Sequence, residues 1–503
     1  MSTRLNKLKL NTIFGILYQI SLVLVNIFLP RFFLKYYGSN VNGLVSSITQ
    51  FLSFINIADM GIGAVVSSAL YKPLAEKDYS KINGILAFSR KFFRIVGLIL
   101  IGYVLLLTFL YPLIVAKSFS FLFTVTLLWA MCLSQFGQFF VGITYSLLLN
   151  ADQKSYVQLI INMFTVILNA IVSILIMRAG VSIQIVKLST SLIFLLRPVY
   201  LYFYVKKHYD IDNNAKPNGK LIPQKRGGII QHISYTVYQN TDIVVLTLFS
   251  SLANVSIYSV YVLVNNGLKS LITALTTGFM AMFGNMLAKN ERKKLYDSFE
   301  LYDWIIHTIC SLIYTLSGIL IVPFILTYTR GILDANYNVP IFALLITLSY
   351  ACNTIRESMF VLIKAAGHYE QTQIASLFEA IINIFVSIIF VFKFGLIGVA
   401  VGTLTATCFF LLYEVFYLSK HIVTRTMKKF FHQILVDIIS VILILIFTSW
   451  IHINEYSYIV WARNAILAFI ISVVLVFLIN IIFYKNNIKK LYSILRMGIG
   501  KRF

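Results

Sequence analysis

Charge is scarce in this chain, and acidic charge scarcest: 12% of the residues are charged and only 18 of 503 are Asp or Glu. A soluble globular domain carries about 25% charged residues. With 59% hydrophobic residues and a mean hydropathy of +0.84, a soluble enzyme is excluded. The sequence reads as an integral membrane protein. Cysteine is also rare. Cys132, Cys310, Cys352 and Cys408 each lie in an apolar segment, with neither metal-ligand nor disulfide spacing. The 7 histidines form no His-x-x-x-His pair. No Gly-x-x-x-x-Gly-Lys loop is present, so the chain does not hydrolyse ATP itself. Strand alternation at ten-residue spacing is missing, which excludes a β-barrel. No connecting segment is long enough for a soluble catalytic domain.

What is present is a series of long apolar runs. A crossing needs about 20 apolar residues. On that measure the sequence predicts fourteen helices, near 11–34, 43–70, 92–116, 121–149, 156–178, 181–205, 228–250, 256–288, 302–327, 340–363, 372–392, 395–418, 431–451 and 460–484. The N-terminus, basic and then apolar without a small-residue cleavage site, reads as the first of these helices. Most Lys and Arg fall in alternate connections: 71–94, 206–226, 289–294, 419–430 and the C-terminal tail. The positive-inside rule then places both termini in the cytoplasm. It also accounts for the net charge of +24 without a nucleic-acid partner. The basic 71–94 segment reads as amphipathic and lying on the inner membrane surface.

The chain repeats itself weakly at a shift of about 214 residues: "LNAIVSILI" at 168–176 meets "INIFVSIIF" at 382–390, and "FYVKKH" at 203–208 meets "FYLSKH" at 416–421. Six helices per repeat is an even number, so the halves share one orientation, as in transporters built from parallel repeats. The expected organisation is an N-terminal six-helix lobe over 1–210, a cytoplasmic linker over 211–227 and a C-terminal six-helix lobe over 228–422. Two further helices and a basic cytoplasmic tail follow over 423–503. Two like-oriented bundles enclose a cavity and rock about it.

Polar residues inside the runs are the candidates for work in that cavity. Ser46, Thr49, Gln50, Ser53 and Asn56 form one stripe at helical spacing. It serves as a cavity face or as glue between helices. Asn240 and Asp242 cluster in "VYQNTDIVVLTLFS". Glu379 and Asn383 stand one turn apart in "QIASLFEAIINIF", with Thr403 on the following helix. Such an oxygen set suits Na⁺ or a protonatable carboxylate. Alternatively, Asp242 pairs with a buried base. Lys269, Arg356, Arg31 and Arg197 are the cations within or beside the runs, and they favour an anionic passenger. Glu414 and Asp437 read as solvated residues near span ends.

Two stretches carry a family resemblance: "FLKYYGSNVNGLVSSITQFLSFINIADMGIGAVVSSALYKPLAEKDYSKIN" at 33–83 and "YQNTDIVVLTLFSSLANVSIYSVY" at 238–261. The chain resembles the polysaccharide exporters, Wzx-type flippases of O-antigen, capsule or exopolysaccharide repeat units. These belong to the superfamily of the multidrug and toxin extruders. The resemblance implies an all-α membrane protein with a twelve-helix core and two extra C-terminal helices. It implies a bacterial cytoplasmic-membrane flippase, not an enzyme, acting by alternating access and without a cofactor. The passenger it implies is an undecaprenyl-pyrophosphate-linked oligosaccharide, bound in a central cavity by Lys269, Arg356, Arg31, Gln50 and Asn56. The coupling ion it implies is Na⁺ or H⁺, at Asp242, Asn240, Glu379, Asn383 and Thr403. It implies a monomer in the lipid bilayer, and the protein partners it allows are a polysaccharide polymerase and a chain-length regulator. The rival functions on the same fold are a multidrug–cation antiporter and a lipid II flippase. Lipid II flippases place the acid and amide in the reverse order to Glu379 and Asn383. They also carry several bases in the first two helices, where this chain has Arg31. These departures argue against lipid II as the passenger.

Overall fold

A computed structural model describes residues 2–59, 62–212, 214–219, 229–423, 425–453 and 455–500. All regular structure among them is helical. The chain folds as two compact units, Met1–Ser256 and Ile257–Phe503.

In the first unit, α1 (Ser2–Ser53) is broken at Gly38, where φ is 78°. Fifty-two residues at 1.5 Å each span roughly 78 Å, longer than one crossing needs. A 3₁₀ turn over Phe54–Asp59 and then α2 (Ile62–Glu76) follow. The run predicted over 43–70 is therefore interrupted, because "NIADMG" places Asn, Asp and Gly in its middle. Next come α3 (Tyr79–Val115), α4 (Phe121–Gly137), a π-helical turn at Gln138–Gly142, α5 (Ile143–Ala151), α6 (Ser155–Arg178), α7 (Ile183–His208) and α8 (Ile229–Phe249). Leu44, Ile48, Phe93, Leu100, Leu127 and Leu128 form the core that joins α1, α3 and α4. Asp152, just past α5, takes Lys7 at 3.0 Å and Lys154 at 2.8 Å. It also accepts the Tyr209 hydroxyl at 2.5 Å. This ties the starts of α1 and α6 to the end of α7.

Gly43 is dictated by close approach. A Cβ on Gly43 would lie 1.8 Å from the carbonyl oxygen of Leu252, and neither backbone can yield alone. Overpacking of this kind costs about 1–3 kcal/mol. Gly43→Ala is expected at the upper end of that range, read as a lowered unfolding temperature in detergent. An unchanged temperature would mean that the two segments are not in contact.

The second unit holds α9 (Leu252–Ala288), which starts in the first. It continues with α10 (Arg292–Tyr328), α11 (Pro340–Ala365), α12 (Tyr369–Phe394), α13 (Leu396–His421), α14 (Met427–Thr448), α15 (Tyr458–Phe483) and α16 (Lys485–Gly500). Helix α9 bends by 42° between Leu252–Ala274 and Gly278–Ala288. The core of this unit gathers Phe283, Phe299, Tyr302, Met359, Leu362 and Leu418.

Among the described residues ten helices are long and apolar enough to cross a membrane, or eleven if the bent α9 is one crossing. The chain is a multi-pass membrane protein, but not on the count of fourteen. Helices α8 and α11 form where predicted, yet fall outside the ten. The first carries Asn240 and Asp242, the second Arg356, Glu357 and Lys364. The unit boundary also lies at Ser256, past the 211–227 segment, because α8 packs on α1. Residues 213 and 220–228, with several of the linker bases, lie outside the described residues, as do Lys501 and Arg502.

The 71–94 segment differs from expectation as well. Asp78 caps α3, accepting from the Lys81 N–H at 3.0 Å, and pairs with the Lys81 ammonium at 2.8 Å. The helix therefore begins at Tyr79, and Arg90, Lys91 and Arg94 sit on its N-terminal half rather than in a surface connection.

Candidate functional site

Among the described residues, a buried polar cluster stands in each unit around the predicted site residues. In the first, the α1 stripe meets α8. Gln50 donates to the Asn240 side-chain oxygen and to the Gln239 carbonyl at 3.3 Å. Ser53 donates to the same Asn240 oxygen at 2.5 Å. Asn240 donates in turn to the Thr236 carbonyl at 2.6 Å. Ser47 accepts from Tyr111 and from Thr247, each at 2.7 Å. Asn42 donates to Ser256 at 2.8 Å. The glue reading of the stripe is thus realised for Gln50 and Ser53, and Ser47, outside the predicted stripe, belongs to the same seam. Asn56 is exposed, and its carbonyl is engaged by His232 at 3.3 Å. Asp242 is buried on α8, about 200° around the helix from Asn240 by helical geometry. Arg31 is partly buried in α1. Arg197 donates to Thr165 at 2.7 Å.

The second cluster is ionic. Arg356 on α11 donates to Glu379 on α12 at 3.0 Å. It stands 3.9 Å from Glu414 on α13. Its guanidinium lies 4.6 Å from the centre of the Phe410 ring. All three charged residues are buried. Glu379 thus engages Arg356 directly. Asn383, one turn on, donates to Thr403 at 3.2 Å, so the structure brings that predicted pair together. Lys269 on α9 donates to Asn353 on α11 at 2.7 Å.

Glu414 corrects the sequence reading, since it is fully buried rather than solvated. Asp437 is likewise not a free surface acid. It accepts from Ser311 at 2.7 Å and meets His307 Nδ1 at 2.5 Å. Nearby, Arg425 pairs with Asp303 at 2.7 Å and Glu300 at 3.0 Å. Sequence reasoning missed this group. Its one local signal was Asp303 and His307 a turn apart on α10. Among the described residues no group of acids, histidines and cysteines could hold a metal ion.

No family model matches the chain, and no curated protein matches it in sequence. Solved structures do match in fold. The lipid II flippase MurJ, in an inward closed conformation, shares 18% identity at a TM-score of 0.69, over 95% of this chain and 100% of that one. An inward-facing multidrug resistance MATE family transporter of the MOP superfamily shares 12% identity at a TM-score of 0.59, over 80% of this chain and 94% of that one. The chain shares the multi-pass fold of these two solved proteins.

Proposed function

We propose that this protein moves a polyprenyl-pyrophosphate-linked saccharide across the membrane by alternating access, and that its passenger is of the lipid II type. The observation carrying this reading is the fold match to the lipid II flippase along that protein's whole length and 95% of this chain. The multidrug transporter accounts for 80%. A saccharide headgroup cannot cross hydrocarbon unaided, whereas its polyprenyl tail can remain in lipid. A polar cavity that hides the headgroup solves that problem without breaking a bond. Lys269 in the second unit and Arg31 in the first each offer positive charge to a pyrophosphate. Gln50 and Asn56 supply polar contacts for the sugars. We assign coupling to Na⁺ or H⁺, with Asn383, Thr403 and Glu379 as oxygen donors in one unit and Asp242 and Asn240 in the other. Both termini are placed in the cytoplasm of a bacterium.

A second reading, an O-antigen or capsule repeat unit as passenger, is favoured by the stretches at 33–83 and 238–261.

The test is reconstitution in liposomes with fluorescent lipid II and a fluorescent undecaprenyl-pyrophosphate oligosaccharide, scoring movement between leaflets under Na⁺ or H⁺ gradients. Lys269→Met is expected to slow movement by about tenfold or more, from a charged hydrogen bond worth about 1.5–3 kcal/mol. Preference between the two lipids decides between the two passengers. If a folded protein moves neither lipid but expels cationic dyes, both readings fail and the antiporter stands.

A further inference from the structure

The N-terminal half of α3 lines a groove of about 670 Å³ within the first unit. Three cations enter it, Arg90, Lys91 and Arg94, and no carboxylate side chain lines it. Arg90 is partly engaged, donating to the Asp212 carbonyl at 3.1 Å. Lys91 and Arg94 are exposed and form no ion pair among the described residues. The walls are aromatic: Phe140, with Tyr145 and Tyr202 packed edge to face at 5.9 Å. A strap of chain at Ala215 and Pro217 borders the groove, pinned where the Asn218 N–H donates to the Gly84 carbonyl at 3.1 Å.

The other end of the groove is apolar. Ile95 and Leu98 continue the same helix at 48% and 61% exposure, on a helix apolar enough to cross the membrane. Lys91 and Arg94, without an ion pair among the described residues, at one end and open aliphatic side chains at the other match an amphiphile with an anionic head. Ile95 and Leu98 gain by facing hydrocarbon, and the exposed cations beside them gain from an anionic counter-charge. Basic pockets between membrane helices take phosphate headgroups for this reason.

We infer that this groove binds the phosphate headgroup of an anionic lipid, held by Lys91 and Arg94, with an acyl or prenyl chain along Ile95 and Leu98. The inference stands apart from the transport reading and rests on the groove alone. Two lipids share the required chemistry: a membrane phospholipid such as phosphatidylglycerol, and a polyprenyl pyrophosphate.

The experiment uses the full chain in phosphatidylcholine nanodiscs doped with phosphatidylglycerol or with undecaprenyl pyrophosphate. A third arm has inorganic pyrophosphate in detergent. Retained ligand is read by native mass spectrometry. The double variant Lys91→Gln/Arg94→Gln is expected to bind the anionic lipid about 30-fold more weakly, at a factor of about five per basic residue near the surface. Both side chains are exposed, so folding is not at stake. The pair Lys91→Arg/Arg94→Lys is expected to restore binding. Preferential retention of phosphatidylglycerol identifies a resident phospholipid. Preferential retention of the polyprenyl lipid identifies a docking site for a lipid-linked pyrophosphate. Equal retention by wild type and the charge-removed variant overturns the inference. So does capture of inorganic pyrophosphate with neither lipid retained.

Discussion

Arg356→Met is expected to destabilise the second unit by about 3–5 kcal/mol, the range for removing one partner of a buried ion pair. The reason lies in the charges left behind. Glu379 loses its hydrogen bond at 3.0 Å and Glu414 its nearest cation at 3.9 Å. Both carboxylates remain out of water, on two different helices. Methionine fills much of the volume, so lost packing on Phe410 is the smaller part. Differential scanning fluorimetry in detergent should show a fall of roughly 10 °C for a unit of this size. The control separates charge from packing. In Arg356→Met/Glu379→Gln/Glu414→Gln no charge remains unpaired, and most of the loss should be recovered. A triple variant no better than the single one would show that the arginine acts through shape alone.

Arg425→Met is the second large effect, again about 3–5 kcal/mol, but with a different distribution along the chain. Arg425 stands just before α14 and pairs with Asp303 and Glu300 on α10. It also donates to Gln433 on α14. Asp303 accepts in addition from Ser358 at 2.6 Å. Helix α10 holds the last two membrane helices by further polar ties, His307 to Asp437 on α14 and Trp304 to Asn480 on α15, the latter at 2.6 Å. Removing Arg425 should therefore loosen α14 and α15 first. Hydrogen exchange should rise there while α12 and α13 keep their protection. Exchange that rises uniformly through the unit would refute this local anchoring.

The sequence made the helices legible because most apolar runs are long and uninterrupted. Its count of fourteen exceeds the ten or eleven described helices that are long and apolar enough to cross, because α8 and α11 are membrane-length segments loaded with Asn240, Asp242, Arg356 and Lys364. Local pairs were readable in principle, as with Asp78 and Lys81 three residues apart. Long-range ones were not. Nothing near Glu414 in "LLYEVFYL" announces that its cation lies 58 positions earlier, so distance from the predicted span end was the only guide, and it misled. Asn383 and Thr403 were placed together correctly because adjacent antiparallel helices bring residues of similar depth side by side. Asp242 is buried, as its apolar flanks required.

The two polar clusters also differ in how they can change over generations. The seam between α1 and α8 is made of hydroxyls and amides, each tie worth about 1 kcal/mol. Gln50, Ser53 or Thr247 can each drift singly to another neutral residue, and the loss is absorbed. The Arg356, Glu379 and Glu414 set behaves differently. Losing either glutamate still leaves a one-to-one pair, but losing Arg356 strands two carboxylates in a dry interior. The arginine is therefore the position of the second unit that cannot change alone, whereas the first unit can be retuned residue by residue.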